Sequence, residues 1–233
     1  MPARFWAALT NPVSALVNGR FFKPVVWVFC LTPGVILAVK LFRFLTGHED
    51  ALGVDPNVTL LHETGKTALI FLVASLSVTP VRRIFKINRV QIVRRLLGVT
   101  SFFYALAHIS MYLVFDQLCY SLATCDFHNT WVDILKRKFI FAGMLTFSVL
   151  TVLAATSTSG WVRRLKKRWV TLHRLVYVAG IAAVVHYVWG QKSDIGEPLR
   201  WGAYVAILLG IRVYFAWQKR QGQATTQAAR VSG

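Results

Sequence analysis

The chain has 233 residues, of which 55% are hydrophobic and only 15% are charged. A soluble domain carries about a quarter charged residues, so this composition argues against a soluble fold and favours a protein whose solvent is the lipid bilayer. The net charge of +18 does not indicate nucleic-acid binding, because the basic groups lie between apolar segments, where anionic lipid and membrane topology account for them.

Six apolar segments follow one another, and each can cross about 30 Å of hydrocarbon as a helix, the second only barely. Residues 1–23 show no cleavable signal pattern and are expected to form a cytoplasmic or interfacial segment that leads into the first span. The polar residues 218–233 are expected to form a disordered cytoplasmic tail. The sequence therefore predicts an all-α integral membrane protein, a six-helix bundle within residues 24–217. The predicted spans are 24–45, 63–81, 96–118, 138–157, 171–190 and 198–217.

The charges between the spans predict the orientation of the bundle. Residues 81–95 contain six basic groups and residues 158–170 contain five, and neither segment has an acidic residue. By the positive-inside rule both connections are cytoplasmic, which also places both termini in the cytoplasm. The nine acidic residues all lie in or beside the other three connections, which agrees with this arrangement.

Both basic connections also contain tryptophan and aliphatic residues. This mixture is typical of a segment that lies on the membrane surface with its apolar side chains among the headgroups, and composition favours this interpretation. The alternative is a docking site for an anionic cofactor or for a soluble electron donor. The arginines concerned are Arg82, Arg83, Arg163 and Arg164.

Histidines inside the spans are the best candidates for a functional site, because ionisable groups at membrane depth are costly. His108 lies near the middle of the third span, where a metal bond explains it better than a hydrogen bond to a carbonyl or to Ser110. His173 and His186 both lie in the fifth span. They are about 20 Å apart along a helix and cannot bind the same iron.

Heme held by two histidines in a helix bundle needs one imidazole from each of two helices at matching depth. Counted from the cytoplasmic edge, His108 matches His186 better than His173, although helix tilt could absorb either difference. His173 and His186 are also about 140° apart around a straight helix. Either they face different partners, or the helix deviates near Gly180.

Three residues on the outer side carry further predictions. His62 begins the second span and is either an interfacial residue or a contact for a heme propionate or a quinone headgroup. Cys119 and Cys125 share one outer connection. An oxidising compartment would allow a disulfide between them, and two free thiols fit the sequence equally well.

Three segments, in this order, resemble the MsrQ (YedZ) family, the heme-binding membrane subunit of the bacterial periplasmic methionine-sulfoxide reductase system. This family is a distant relative of the ferric reductase and NADPH-oxidase transmembrane domains, and the resemblance covers residues 22 to 217. The segments are HETGKTALIFLVASLSVTPVRR from residue 62, the run RRLLG before His108 with SMY after it, and LHRLVYVAGIAAVVHYVWG from residue 172.

The resemblance implies a multi-pass protein of the bacterial inner membrane that carries electrons. They would come from the quinone pool or from a cytoplasmic flavin reductase and pass through heme b, with FMN also bound. The acceptor would be a periplasmic molybdenum-containing subunit that reduces methionine sulfoxide in oxidised proteins. The basic cytoplasmic face that includes Arg82, Arg83, Arg163 and Arg164 would be available to the phosphate of FMN.

The resemblance also implies that His108, His173 and His186 are associated with heme. The related oxidases carry a second histidine on the third span. At the corresponding distances from His108 this chain has other residues, so the sequence does not predict a complete second bis-histidine site. These residues are Arg94, Arg95, Ser121 and Leu122.

The sequence contains no Gly-rich phosphate loop, no nucleophile–base pair and no NADPH-binding domain. Sulfoxide reduction is therefore assigned to the partner and the reducing power to a quinone or a separate protein. Two alternatives are a self-contained ferric or metal-ion reductase that needs heme and no partner, and a proton-coupled transporter whose histidines form a proton relay. A transporter of this kind is expected to have inverted repeats and broken helices, which the sequence does not show.

Overall fold

The computed structural model describes residues 21–116, 127–191 and 194–231. These residues form helices and short turns, with no strand among them. Six segments are long and apolar enough to cross a membrane, which confirms the predicted all-α bundle of six spans. The spanning helices are α1 (Phe22–Leu45), α2 (Pro56–Phe85), α3 (Gln91–Met111), α5 (Lys138–Ala155), α8 (Val176–Gly190) and α9 (Gly196–Val231), and the short helices α4 (Phe127–Lys136), α6 (Ser159–Leu165) and α7 (Lys167–Leu172) lie between them.

Two helix bounds differ from the sequence prediction. Helix α2 begins at Pro56, where the Asp55 carboxylate accepts hydrogen bonds from the first free backbone N–H groups, as an N-cap residue does. His62 therefore lies in the second turn of α2 and not at its start. Helix α9 runs from Gly196 to Val231, and so extends beyond both ends of the predicted span 198–217.

The fifth span does deviate from a straight helix, but not near Gly180. A 3₁₀ turn at His173–Leu175 separates α7 from α8, and α8 is a regular helix through Gly180. Gly180 instead permits close packing, because a Cβ atom there would lie 3.1 Å from Cδ1 of Leu76 on α2. The interruption thus changes the direction of His173 relative to His186.

Helix α2 is the centre of the bundle. Half of the apolar stretch with which α2 could cross a membrane is buried inside the protein. In α1 and in α9 only 6% of the corresponding stretch is buried. The exposed apolar faces of α1 and α9 suit contact with lipid. One apolar core joins α2 to α5 and α8, and its buried members are Leu72, Leu76, Leu150, Leu153, Val176 and Ala179. The space enclosed by α2, α3, α5 and α8 is therefore the interior of the bundle.

A proline inside α2 leaves one backbone carbonyl of that helix without its usual hydrogen-bond donor. Pro80 has no N–H group, so the Leu76 carbonyl one turn earlier lacks its usual donor. Arg212 of α9 fills this role, since its Nη2 donates to the Leu76 carbonyl at 2.5 Å, and its Nη1 donates to the Tyr177 hydroxyl at 2.5 Å. A single arginine side chain thus connects α9 to α2 and α8.

The two ends of the bundle differ in charge. The acidic end contains the start of α2, the end of α8 and the start of α9, and its described carboxylates include Glu63, Asp194 and Glu197. The basic end contains the end of α2, the start of α3 and the helices α6 and α7.

Candidate functional site

His108 on α3 and His186 on α8 face each other inside the bundle. Their ring centroids are 6.0 Å apart, and the ring planes make an angle of 84°. Both rings line one cavity, whose walls come from α2, α3, α5 and α8. The structure thus brings together the pair of histidines that the comparison of depths favours.

Each of these two imidazoles is held by the helix beside it. Nδ1 of His108 lies 2.9 Å from the Leu61 carbonyl on α2, and Nδ1 of His186 lies 2.6 Å from the Phe139 carbonyl on α5. A carbonyl oxygen only accepts hydrogen bonds, so Nδ1 of each ring is the donor and carries the proton. Nε2 of each ring is then left with its lone pair, which is the form of histidine that binds metal.

The spacing of the two rings fits one metal ion between them. Two imidazoles bound through Nε2 on opposite sides of an ion have centroids about 6 Å apart, because each metal–nitrogen bond is about 2 Å long. In the part of the chain that the structure describes, no group of three or more histidine, cysteine or acidic side chains could hold a bare ion. Two facing imidazoles in a roomy cavity instead fit heme, whose ring already supplies the other ligands.

Apart from His108 and His186, the ionisable side chains of the cavity lining lie toward the acidic end. His62 and Lys66 on α2 line it there, together with Tyr187 at the end of α8. Nζ of Lys66 forms an ion pair with Oε1 of Glu197 on α9 at 2.5 Å, and Glu197 also hydrogen-bonds Tyr187. These contacts join α9 to α2 and α8 at the acidic end of the cavity, where His62 and Lys66 are the basic side chains of its lining.

The two halves of the cavity are related by a constant offset of 78 residues along the chain. His186 follows His108 by this offset, so the pair α2–α3 corresponds to the pair α5–α8. The same offset relates Phe139 to Leu61, Gly143 to Gly65, Leu150 to Leu72 and Ala183 to Ala105, all of which line the cavity. Sequence reasoning missed this repeat, although the equal spacing from a glycine to a histidine, 65 to 108 and 143 to 186, was a visible signal.

His173 lies apart from this cavity, on the 3₁₀ turn toward the basic end. Its ring stacks on Trp169 with a centroid distance of 3.9 Å, and its Nε2 lies 3.3 Å from Oγ1 of Thr156. The residue 78 positions before His173 is Arg95, so the internal repeat supplies no second histidine as a counterpart to His173. The structure therefore separates His173 from the His108–His186 pair.

The four candidate arginines lie on two separate helices. Arg82 and Arg83 belong to the last turn of α2, and the Arg83 guanidinium lies 5.4 Å from the centroid of the Phe215 ring on α9. Arg163 and Arg164 lie on α6 and line an open surface cavity that also includes Thr158.

The candidate disulfide between Cys119 and Cys125 lies outside the described residues and stays a prediction. Among the residues that are described, Cys30 is a buried free thiol on α1.

Comparison with known families identifies the class of protein. Residues 64–184 match the family model described as the ferric reductase like transmembrane component. This match covers most of α2, all of α3 and α5, and α8 as far as Val184, which are the helices that enclose the cavity. The fold and the site thus define a multi-pass membrane protein of the ferric-reductase-like class.

Individual relatives narrow this class. A protein of Xanthomonas euvesicatoria is 39% identical over 208 residues, which cover 88% of this chain and 89% of that protein. A protein of Herminiimonas arsenicoxydans is 42% identical over 174 residues, covering 73% and 77%. Both are named protein-methionine-sulfoxide reductase heme-binding subunit MsrQ. The chain belongs to the MsrQ family. No solved structure matches it.

Proposed function

We propose that this chain is a transmembrane electron carrier that binds heme b through His108 and His186. The observation that carries this proposal is the facing pair of imidazoles, 6.0 Å apart at their centroids, with both Nδ1 atoms engaged by carbonyls. Bound heme would supply an iron that accepts and releases one electron at a time. The relatives named heme-binding subunits support the same assignment.

The residues of the chain would hold and shield this cofactor. The Leu61 and Phe139 carbonyls fix the tautomer and direction of the two ligand rings. Apolar walls such as Leu72 and Leu150 exclude water from the cavity. His62 and Lys66 would contact the carboxylates of the heme, because they are the basic side chains that line the acidic end of the cavity.

The proposed electron donor is the quinone pool or a cytoplasmic flavin reductase. The proposed acceptor is a periplasmic molybdenum-dependent methionine-sulfoxide reductase, so the chain would support the repair of oxidised periplasmic proteins. The printed names of the relatives support the acceptor, and the basic loops support an orientation with the basic end in the cytoplasm.

FMN is proposed to bind at the basic end through Arg82, Arg83, Arg163 and Arg164. Both arginine pairs lie at this end, and residues 81–95 and 158–170 contain no carboxylate to compete for them. Guanidinium groups bind phosphate oxygens in pairs of charge-assisted hydrogen bonds.

Two measurements separate this proposal from its alternatives. An absorption spectrum of the purified protein is expected to show low-spin heme b, which a proton-coupled transporter would lack. Co-purification with a molybdenum protein is expected, and a self-contained metal reductase, which the family model's description favours, would show none.

His173→Ala is expected to leave substantial heme bound but to slow its reduction by the donor. The physical reason is location, because His173 lies toward the basic end and apart from the ring pair in the cavity. Heme content and the rate of quinol-driven reduction are measured for His173→Ala and for His186→Ala. If His173→Ala loses heme as fully as His186→Ala, the pairing of His108 with His186 is wrong.

A further inference from the structure

Each ligand ring in the cavity rests against a glycine of the neighbouring helix. A Cβ atom built on Gly65 would lie 2.8 Å from Nδ1 of His108 and 2.9 Å from Cε1. A Cβ atom on Gly143 would lie at the same two distances, 2.8 and 2.9 Å, from Nδ1 and Cε1 of His186. Ordinary van der Waals contact begins at 3.4 Å, so neither position can carry a side chain unless the imidazole moves.

The imidazole is not free to move, because the same helix also binds it. The carbonyl that accepts from Nδ1 belongs to the residue four positions before the glycine, Leu61 before Gly65 and Phe139 before Gly143. Glycine and carbonyl are therefore neighbours one turn apart on one helix face. A ring that retreats from a new Cβ atom lengthens its own hydrogen bond.

We propose that Gly65 and Gly143 are paired positioning residues, which set the orientation of the His108 and His186 rings and so produce their near-perpendicular planes. This inference rests on the proposed heme function. Its independent support is the internal repeat, in which two equivalent glycines meet two equivalent histidines 43 residues later in the chain. A glycine and a carbonyl of one neighbouring helix contact each ring, and the two ring planes make an angle of 84°.

The electronic consequence can be measured. In low-spin ferric heme, perpendicular imidazole planes leave two iron d orbitals close in energy, which makes the EPR signal strongly anisotropic. More nearly parallel planes separate these orbitals and reduce the anisotropy. The wild-type protein is expected to give the strongly anisotropic signal, and Gly65→Ala and Gly143→Ala are each expected to change its g values and to shift the midpoint potential.

Gly210→Ala is the matched control. Gly210 lies in α9, and nothing lies within 4 Å of a Cβ atom built there. Alanine is a better helix former than glycine at all three positions. A change in g values or midpoint potential that occurs only with Gly65→Ala and Gly143→Ala therefore cannot come from helix propensity. Heme-loaded Gly65→Ala and Gly143→Ala proteins whose EPR spectra and potentials equal those of wild type and Gly210→Ala would overturn the proposal.

A stability cycle tests the contact itself, and it also serves if a glycine variant fails to bind heme or to accumulate. His108→Gly removes the ring that the new Cβ atom meets, so Gly65→Ala should lower Tm in the wild-type background and should not lower it in His108→Gly, where only the better helix propensity of alanine remains. In the His186→Gly background, Gly65→Ala should still lower Tm. An equal effect of Gly65→Ala in all three backgrounds, or a double variant less abundant than His108→Gly alone, would contradict the proposal. Wild-type protein without heme would instead overturn the proposed function and leave this cycle interpretable.

Discussion

His108→Ala and His186→Ala are each expected to lose most of the bound heme. Each change removes one of the two imidazoles that face each other in the cavity, and the ring that remains opposite would then have to hold the cofactor alone. Because the internal repeat makes the two ligands equivalent, the losses should be similar in size. The measurements are heme per protein and spin state, both from the absorption spectrum of protein purified in detergent.

The control for these variants is His128→Ala, since His128 lies on α4 with an exposed side chain away from the cavity. It should keep its heme and its spectrum. A second comparison uses His108→Gly with free imidazole added, which should restore low-spin heme by replacing the missing ligand. Unchanged heme content and spin state in His108→Ala would remove this residue from the site.

Hydropathy and charge were enough to predict the six spans, because the bilayer sets the length of a span and confines charge to its ends. The comparison of depths favoured His186 over His173 as the neighbour of His108 only by a small margin, since helix tilt changes the depth that a residue number indicates. The structure places the rings of His108 and His186 side by side.

The contacts around the two rings could not be predicted in this way. Nothing in the sequence tells which side chain of another helix comes against Gly65 or Gly143. A deviation of the fifth span near Gly180 was one of two alternatives that the sequence left open, and the interruption occurs at His173–Leu175 instead, where no glycine or proline marks it. Tertiary packing decided both features, and hydrophobic pattern alone does not encode it.

Arg212→Leu is expected to destabilise the bundle by about 1–3 kcal/mol, the usual cost of leaving a buried polar group unsatisfied. The group concerned is the Leu76 carbonyl, whose usual donor is missing because residue 80 is proline. The half-buried Arg212 also bonds the Tyr177 hydroxyl, so α9 would lose two attachments to the core at once. Thermal unfolding in detergent measures the change. Gln218→Ala, which removes an exposed hydrogen bond on the same helix, should have little effect.

The same argument predicts that Pro80→Ala reduces the cost of Arg212→Leu. Alanine at position 80 supplies the backbone N–H that proline lacks, so the Leu76 carbonyl gains a partner within α2 and no longer depends on Arg212. The two changes should therefore be coupled by about 1 kcal/mol in a double-mutant cycle. The Nε atom of Arg212 is buried without a hydrogen-bond partner among the described residues, which means that this arginine is retained at some cost. Additive effects of the two substitutions would show that Arg212 stabilises the bundle through Tyr177 alone and that the carbonyl released by Pro80 is satisfied in another way.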